Sequence, residues 1–184
     1  MATFRLIAAC DENMGIGNKG DLPWKLDKEF EYYQRITTET KDPKKQNAVV
    51  MGRKSWESVP LKDGPLAGRL NVVISTTIKD SGNPDVPVFK SLEEAMEALT
   101  TKPLSDKIED VWIVGGGALY KEAMDSPMCD GIYLTRINAK YECDAFYPEI
   151  PSDYEEVHGV EGVPEELQHE NGVTYRYTVL KRRK

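Results

Sequence analysis

The chain has 184 residues, 40% hydrophobic and 30% charged, with a formal net charge of −7, a balance that fits one globular domain with a sizeable core. An acidic chain lacks the basic face that general nucleic-acid or anionic-membrane binding needs, although a local basic pocket for a small anion remains open. Cys10, Cys129 and Cys143, with His158 and His169, show no CxxC pair or ligand-like spacing, so neither a disulfide framework nor a zinc site is expected.

The opening Met1-Ala2-Thr3-Phe4-Arg5 soon carries a charge and leads into only five apolar residues. That is too short for a signal peptide or a membrane span, so a reduced, cytoplasmic protein is expected. The run Phe4–Cys10 predicts a strand. Gly15-Ile16-Gly17-Asn18-Lys19-Gly20 then matches G-x-G-x-x-G. A dinucleotide fingerprint would need a helix to start there. Asp21-Leu22-Pro23-Trp24 follows instead, and the proline pushes Leu22 out of the helical region. The stretch therefore reads as a long glycine-hinged loop over a site.

A first helix is expected from Leu26 to about Thr38, with a core-facing stripe of Leu26, Phe30, Tyr33 and Ile36 or Thr37. Glu29 falls on or beside that stripe, while Asp27, Lys28, Glu31 and Arg35 lie mainly on the other side. A half-buried carboxylate without a cationic neighbour has a raised pKa and needs donors. A ligand with an amidine-like pair of N–H groups would satisfy it. An edge glutamate that snorkels to water fits the periodicity equally well.

The strand Ala48–Met51 leads into Gly52-Arg53-Lys54-Ser55-Trp56, a glycine turn and helix start suited to a phosphate; a plain βα turn with solvated basic residues reads as well. Leu66-Ala67-Gly68-Arg69 sets an arginine just before the strand Leu70–Ser75, of interest where a pocket holds a carboxylate. Val86–Phe89 predicts a short strand. Leu92–Leu99 predicts a helix with Ser91 as N-cap and Glu94 three residues on, a capping box. The buried strand Val111–Val114 ends in Gly115-Gly116-Gly117 before a helix over Ala118–Met124. Three glycines make sense where a ligand must approach the backbone closely. Strands at Ile132–Ile137 and Val173–Leu180 follow, the alternation at Tyr175-Arg176-Tyr177-Thr178 marking an antiparallel edge. The basic Lys181-Arg182-Arg183-Lys184 reads as a solvated segment.

Strands alternating with helices predict an α/β fold. The expectation is one domain over 1–184, with a mostly parallel twisted sheet of about eight strands, an antiparallel C-terminal edge strand and about four flanking helices.

In order along nearly the whole chain, Met14-Gly15-Ile16-Gly17, Gly20-Asp21-Leu22-Pro23-Trp24, Glu29-Phe30, Val50-Met51-Gly52-Arg53-Lys54-Ser55-Trp56, Pro65-Leu66 with Gly68-Arg69, Trp112-Ile113-Val114-Gly115-Gly116 and Leu134-Thr135-Arg136 resemble the dihydrofolate reductase family. Each motif is weak alone; their joint order is specific. The length and insertions resemble the monofunctional animal type. The resemblance implies an NADPH-dependent reductase that turns dihydrofolate into tetrahydrofolate for one-carbon metabolism, binds antifolates, and acts as a monomer without nucleic-acid or membrane partners. It implies an adenosine-binding part at roughly 40–105.

The resemblance also implies roles. Glu29 would bind N3 and the 2-amino group of the pterin with Thr135 behind it, and Leu22 would admit the water that protonates N5. Ile7, Ala8, Phe30, Tyr33, Gln34, Ser58, Val59, Leu66, Val114 and Tyr120 would line the substrate pocket, and Arg69 would clamp the carboxylate of the glutamate tail. Ala9, Gly15, Ile16, Gly17, Gly20, Asp21 and Tyr120 would lie along the nicotinamide side. Arg53, Lys54 and Ser55 would hold cofactor phosphates, Gly115, Gly116, Gly117, Ala118 and Leu119 the pyrophosphate, and Ser75, Thr76 and Lys90 the adenine ribose. A cis peptide between Gly115 and Gly116 is part of the same pattern.

Three positions depart from it. Tyr33 stands in place of phenylalanine, Thr76 in place of an arginine for the 2′-phosphate, and Gly117 and Ala118 in place of serines. A related pterin or pyrimidine reductase, with no need of Arg69, and a non-catalytic NADPH-binding module are the alternatives. The module would be expected to lose Glu29, Leu22 or Thr135, and all three are present.

Overall fold

The computed structural model describes residues 2–58 and 64–183. Along them run β1 (Phe4–Cys10), β2 (Gly15–Gly17), α1 (Asp27–Thr38), β3 (Gln46–Gly52), α2 (Arg53–Trp56), β4 (Leu70–Ile74), β5 (Val88–Phe89) and α3 (Leu92–Leu99). The chain continues through β6 (Ile108–Ile113), α4 (Gly117–Asp125), β7 (Cys129–Ile137), β8 (Ala145–Phe146), β9 (Tyr154–Val157), β10 (Gln168–Glu170) and β11 (Val173–Arg182).

The main sheet has the order β10-β11-β7-β1-β6-β3-β4-β5, with β9 also pairing β11. From β7 to β5 every pairing is parallel. The near-continuous apolar runs are required there because both faces are covered. Side chains of β3 alternate accordingly: Ala48 and Val50 join the core under α3 and α4, and Val49 and Met51 join the one that Tyr33, Ile36 and Trp56 cover.

The antiparallel element lies where it was expected, with β11 running against β7 so that Tyr177 faces Thr135. It is not a bare edge, because β10 and β9 cover the two ends of its far side; short flanking strands of this kind blunt an open edge. The strand expected over Val86–Phe89 is shorter. Pro87 has no N–H to donate, yet its carbonyl still accepts from the Val73 N–H at 3.0 Å. The capping box at α3 is half reciprocal. Ser91 accepts from the Glu94 N–H at 3.1 Å, but the Glu94 carboxylate takes the Lys90 N–H at 3.2 Å instead of that of Ser91. The G-x-G-x-x-G stretch opens no helix: β2 pairs with β8 in a small separate sheet, and α1 begins only at Asp27. Among the described residues no helix is long and apolar enough to cross a membrane.

Candidate active site

The carboxyl ends of β1, β3, β6 and β7 meet where β6 fills the space between β1 and β3, the position at which open α/β sheets bind ligands. Glu29, in the first turn of α1, is only 9% exposed. Its Oε2 accepts a hydrogen bond from the Thr135 hydroxyl of β7 at 3.3 Å. Aromatic packing supports that end of the helix: Tyr32 stacks on Tyr177 with centroids 3.8 Å apart, and Tyr175 meets Tyr177 edge-on at 5.6 Å. Among the described residues no cation forms an ion pair with Glu29. Burial therefore pushes its carboxyl up to about 8, with the negative charge of Glu170 adding to the rise and the Thr135 hydroxyl opposing it. The unliganded acid therefore holds its proton to higher pH than an exposed glutamate does, and once ionised it suits a partner with two donors.

The stripe on α1 is rotated from the expected one. Its buried positions are Glu29, Tyr32 and Thr37, whereas Phe30 is 40% exposed and stacks on the half-buried Tyr33 at 5.9 Å. The sequence stripe erred because Phe30 was counted as core on hydrophobicity alone; at 100° per residue it lies beside Glu29, facing outward. Leu22 is equally exposed. An exposed aromatic ring such as that of Phe30, next in sequence to a buried acid, suits a ligand with an apolar body.

Arg69 is the cation of the site. It is 8% exposed, its Nη1 donates to the Thr37 hydroxyl at 2.9 Å, and its Nε donates to the Ala67 carbonyl at 3.0 Å. Thr37 passes its own proton to the Tyr33 carbonyl at 2.8 Å. Among the described residues Arg69 has no carboxylate partner, and burial lowers its pKa. A buried cation without an anion is costly, so the site is built for a carboxylate from outside.

Two glycine turns lie side by side on the opposite flank. The Gly52 N–H donates to the Gly115 carbonyl at 2.8 Å, and the Val114 N–H to the Val50 carbonyl at 2.9 Å. The Gly115–Gly116 peptide is cis, and Gly115 has φ +122°. A Cβ at Gly115 would meet Ser55 Oγ and the Tyr120 ring at 3.4 Å. Neither α2 nor α4 has a side-chain cap, and helix starts of that kind can offer first-turn N–H groups to an anion. At Gly117 a Cβ would lie 2.8 Å from the Phe146 carbonyl. That contact explains why glycine replaces the expected serine.

The loop after β1 is fastened by Asp11, which is buried. Its Oδ1 accepts from the N–H groups of Asn13 at 2.9 Å and Gly15 at 2.8 Å, while its Oδ2 accepts from the N–H of Tyr141 at 2.9 Å and, more weakly, the Cys143 thiol at 3.8 Å. Its pKa is lowered because these backbone donors outweigh burial.

A family model described as dihydrofolate reductase matches residues 3–182. The chain belongs to the dihydrofolate reductase family. It is 46% identical over 183 residues to the dihydrofolate reductase of Aedes albopictus, covering 99% of this chain and 98% of the relative. The Bos taurus enzyme is 43% identical over 178 residues, covering 96% and 95%. The solved Schistosoma mansoni dihydrofolate reductase aligns with a TM-score of 0.85 at 35% identity, over 98% of both chains.

Against the positions this family predicts, several side chains sit differently. Leu119 is buried with Tyr120, Ala123 and Met124 in the core, on the face that α4 packs inward, which leaves its backbone for a ligand. The Tyr120 hydroxyl donates to the Ile7 carbonyl at 2.7 Å, tying α4 to β1. The Ser75 hydroxyl already accepts from the N–H groups of Thr77 at 3.1 Å and Ile78 at 3.2 Å. Gly15 faces Cys143 and Asp11 instead of open space. Ser58 donates to the Ser55 carbonyl at 2.6 Å, and Gln34 Oε1 is buried without a partner among the described residues. Ile7 is buried, Ala8, Ala9, Ile16, Gly17, Leu66 and Val114 are half-buried, and Gly20, Asp21, Lys54, Thr76, Lys90 and Ala118 are exposed. Val59 lies outside the described residues. Sequence reasoning missed Asp11, Trp24, Thr37, Glu170, Tyr175 and Tyr177. Only the Asn171-Gly172 turn, a hairpin signal, pointed toward Glu170.

Proposed function

We propose that this chain reduces 7,8-dihydrofolate to 5,6,7,8-tetrahydrofolate with NADPH, consuming one proton per turnover. The observation that carries this reading is Glu29: a buried acid backed by Thr135, with no ion-pairing cation among the described residues, on the same helix whose Thr37 takes a hydrogen bond from the buried Arg69, which has no carboxylate partner among them. The two charged groups match the two ends of a folate, with donors on the pterin and a carboxylate on the tail.

The cofactor cradle fits NADPH on the same terms. Two helix starts without side-chain caps, Gly115 at φ +122°, Gly117 with no room for a Cβ beside the Phe146 carbonyl, and Arg53 and Lys54 without ion pairs among the described residues suit a chain of phosphates. Gly115, Gly116, Gly117 and Ala118 would hold the pyrophosphate by backbone N–H groups, with Arg53, Lys54 and Ser55 on neighbouring phosphates. Lys90 and Thr76 would stand at the adenosine end, within the adenosine-binding part at roughly 40–105. When bound, NADPH supplies a hydride.

The chain's own groups do the rest. Glu29 accepts from N3–H and the 2-amino group, which orients the ring and favours its protonated form electrostatically. It contacts the end of the ring remote from N5, so the proton at N5 comes from water admitted beside Leu22. Arg69 holds the tail carboxylate through binding and reaction alike. Antifolates with an amidine-like edge bind Glu29 in the same way, and Tyr33 brings a hydroxyl to the aryl pocket. The protein is proposed to act as a monomer in the reducing cytoplasm, where Cys10, Cys129 and Cys143 stay free. The test is loss of reduced-nicotinamide absorbance when dihydrofolate is added, abolished by a diaminopyrimidine antifolate. No loss of absorbance overturns the reading, and turnover confined to pterins without a glutamate tail moves it to a different reductase.

A further inference from the structure

We propose that Glu170 is a positioning residue for the substrate-binding acid: from the β10–β11 hairpin its carboxylate caps α1 beside Glu29 and acts on it as a second fixed negative charge. The inference rests on the reading of Glu29 given above.

Helix α1 begins without a cap of its own, since Leu26 occupies the N-cap position and offers no acceptor side chain. An orphan N–H in the first turn then needs a partner from elsewhere. Glu170 supplies it, taking the Lys28 N–H on both oxygens, at 3.0 and 3.2 Å, across 142 positions of sequence. The next residue, Asn171, donates its side-chain N–H to the Lys25 carbonyl at 2.7 Å. Asn171 with φ +51° and Gly172 with φ +75° form the turn that aims both side chains at the entry to α1. The fully buried Tyr175 fixes the carboxylate from behind, its hydroxyl donating to Glu170 Oε1 at 3.3 Å. Glu170 is thus held by side chain and backbone, one residue from the position whose orientation matters most.

The groups that act on Glu29 are few. Tyr32 and Tyr33 of α1, Tyr120 of α4, and Tyr175 and Tyr177 of β11 surround it with phenols, and Thr135 of β7 donates to it. Asp27 shares its turn of helix. Glu170 is the carboxylate whose charge adds to burial in keeping Glu29 protonated. On binding, the proton that the free acid holds stays in the complex, where an ionised Glu29 faces a protonated ring; because the reaction consumes a proton, kcat/KM falls as pH rises past the point where the free protein loses it.

Glu170→Gln keeps an acceptor for the Lys28 N–H and removes the charge; Glu170→Ala removes both. The Glu29 carboxyl carbon, assigned by its absence in Glu29→Gln, is followed by 13C NMR through a pH titration of the unliganded protein. In Glu170→Gln its midpoint is expected to move to lower pH by about 0.5, and the alkaline limb of kcat/KM for dihydrofolate should move the same way. Glu170→Ala should in addition speed amide exchange at Lys28. If Glu170→Ala does not fold, Glu170→Gln still decides. A midpoint and limb unmoved in Glu170→Gln overturn the proposal, as does a loss of thermal stability without either change. Full turnover in Glu29→Gln would instead overturn the reading of Glu29 itself.

Discussion

The two ends of the cleft are built by different means. At the proposed pterin end a side chain would do the recognising: Glu29 is sunk among tyrosines, capped through its helix by Glu170 and backed by Thr135. At the proposed cofactor end the backbone would do it, through paired glycine turns and helix starts without side-chain caps, with charge supplied by exposed Lys54 and Lys90. A buried side chain in fixed surroundings carries large energies for one atom pair, whereas many backbone N–H groups share a phosphate and each contributes little. One end should therefore be brittle to single changes and the other tolerant, except where a glycine ledge has no room.

That contrast is most exposed at Glu29. Glu29→Gln is expected to lower kcat/KM for dihydrofolate by about 10³-fold while NADPH affinity, read by fluorescence titration, stays within about twofold; parallel losses in both would erase the contrast. The same variant reports on pH. An unfolded glutamate titrates near 4.3 and the folded one at about 8, so the folded state holds the extra proton between those values. The stability this group contributes is complete below the lower value, declines as pH rises toward the upper one and is flat beyond. Melting of the unliganded protein should show that decline, Glu29→Gln should remove it, and at pH 9 the variant should melt above the wild type.

Next comes Arg69→Ala, expected to raise KM for dihydrofolate by about 10²-fold with kcat changed less than about threefold, since the contact persists through the reaction. A substrate lacking the glutamate tail should not distinguish the two proteins. At the cofactor end the ledge itself is the weak point. Gly117→Ala would press a methyl group against the Phe146 carbonyl and should weaken NADPH about tenfold and lower the melting temperature, with dihydrofolate affinity unaffected. Wild-type NADPH affinity in that variant would remove the ledge from the cofactor site. The smallest effect is a gain. Thr76→Arg should favour NADPH over NADH by a few-fold, because an exposed charge gains little from a solvated phosphate.

Much of this was legible before any coordinates. Parallel strands such as β3 announce themselves because both faces must be apolar, and the glycine turns at Gly52 and Gly115 mark places where a ligand nears the chain. For Glu29 the sequence left two readings open, a buried acid with a raised pKa and an edge glutamate reaching water, and burial in the folded chain decides for the first. The rest depended on distance. β2, β8, β9 and β10 are two to four residues long and owe their existence to the strands they pair with. Tyr175 and Tyr177 read as an alternating strand, with no sign that they would support an acid about 146 positions earlier. Phe30 looked like core because hydrophobicity does not say whether the group a residue covers is protein or ligand.

The Asp11 staple has a consequence for motion. It fixes the first half of the β1–α1 loop, and the bonds from Asp144 N–H to the Gly17 carbonyl at 3.0 Å and from Lys19 N–H to the Asp144 carboxylate at 3.0 Å continue the seam. Beyond it Trp24 is buried and meets Tyr141 edge-on at 5.5 Å. Both anchors lie on the segment from Tyr141 to Asp144; between them Asp21 is tied back to Asn18 by two backbone hydrogen bonds, at 2.9 and 3.0 Å, and Leu22 and Pro23 follow. The exposed Leu22 thus sits on a short span slung from a single beam, with five peptide bonds between the anchors Lys19 and Trp24 to set its reach.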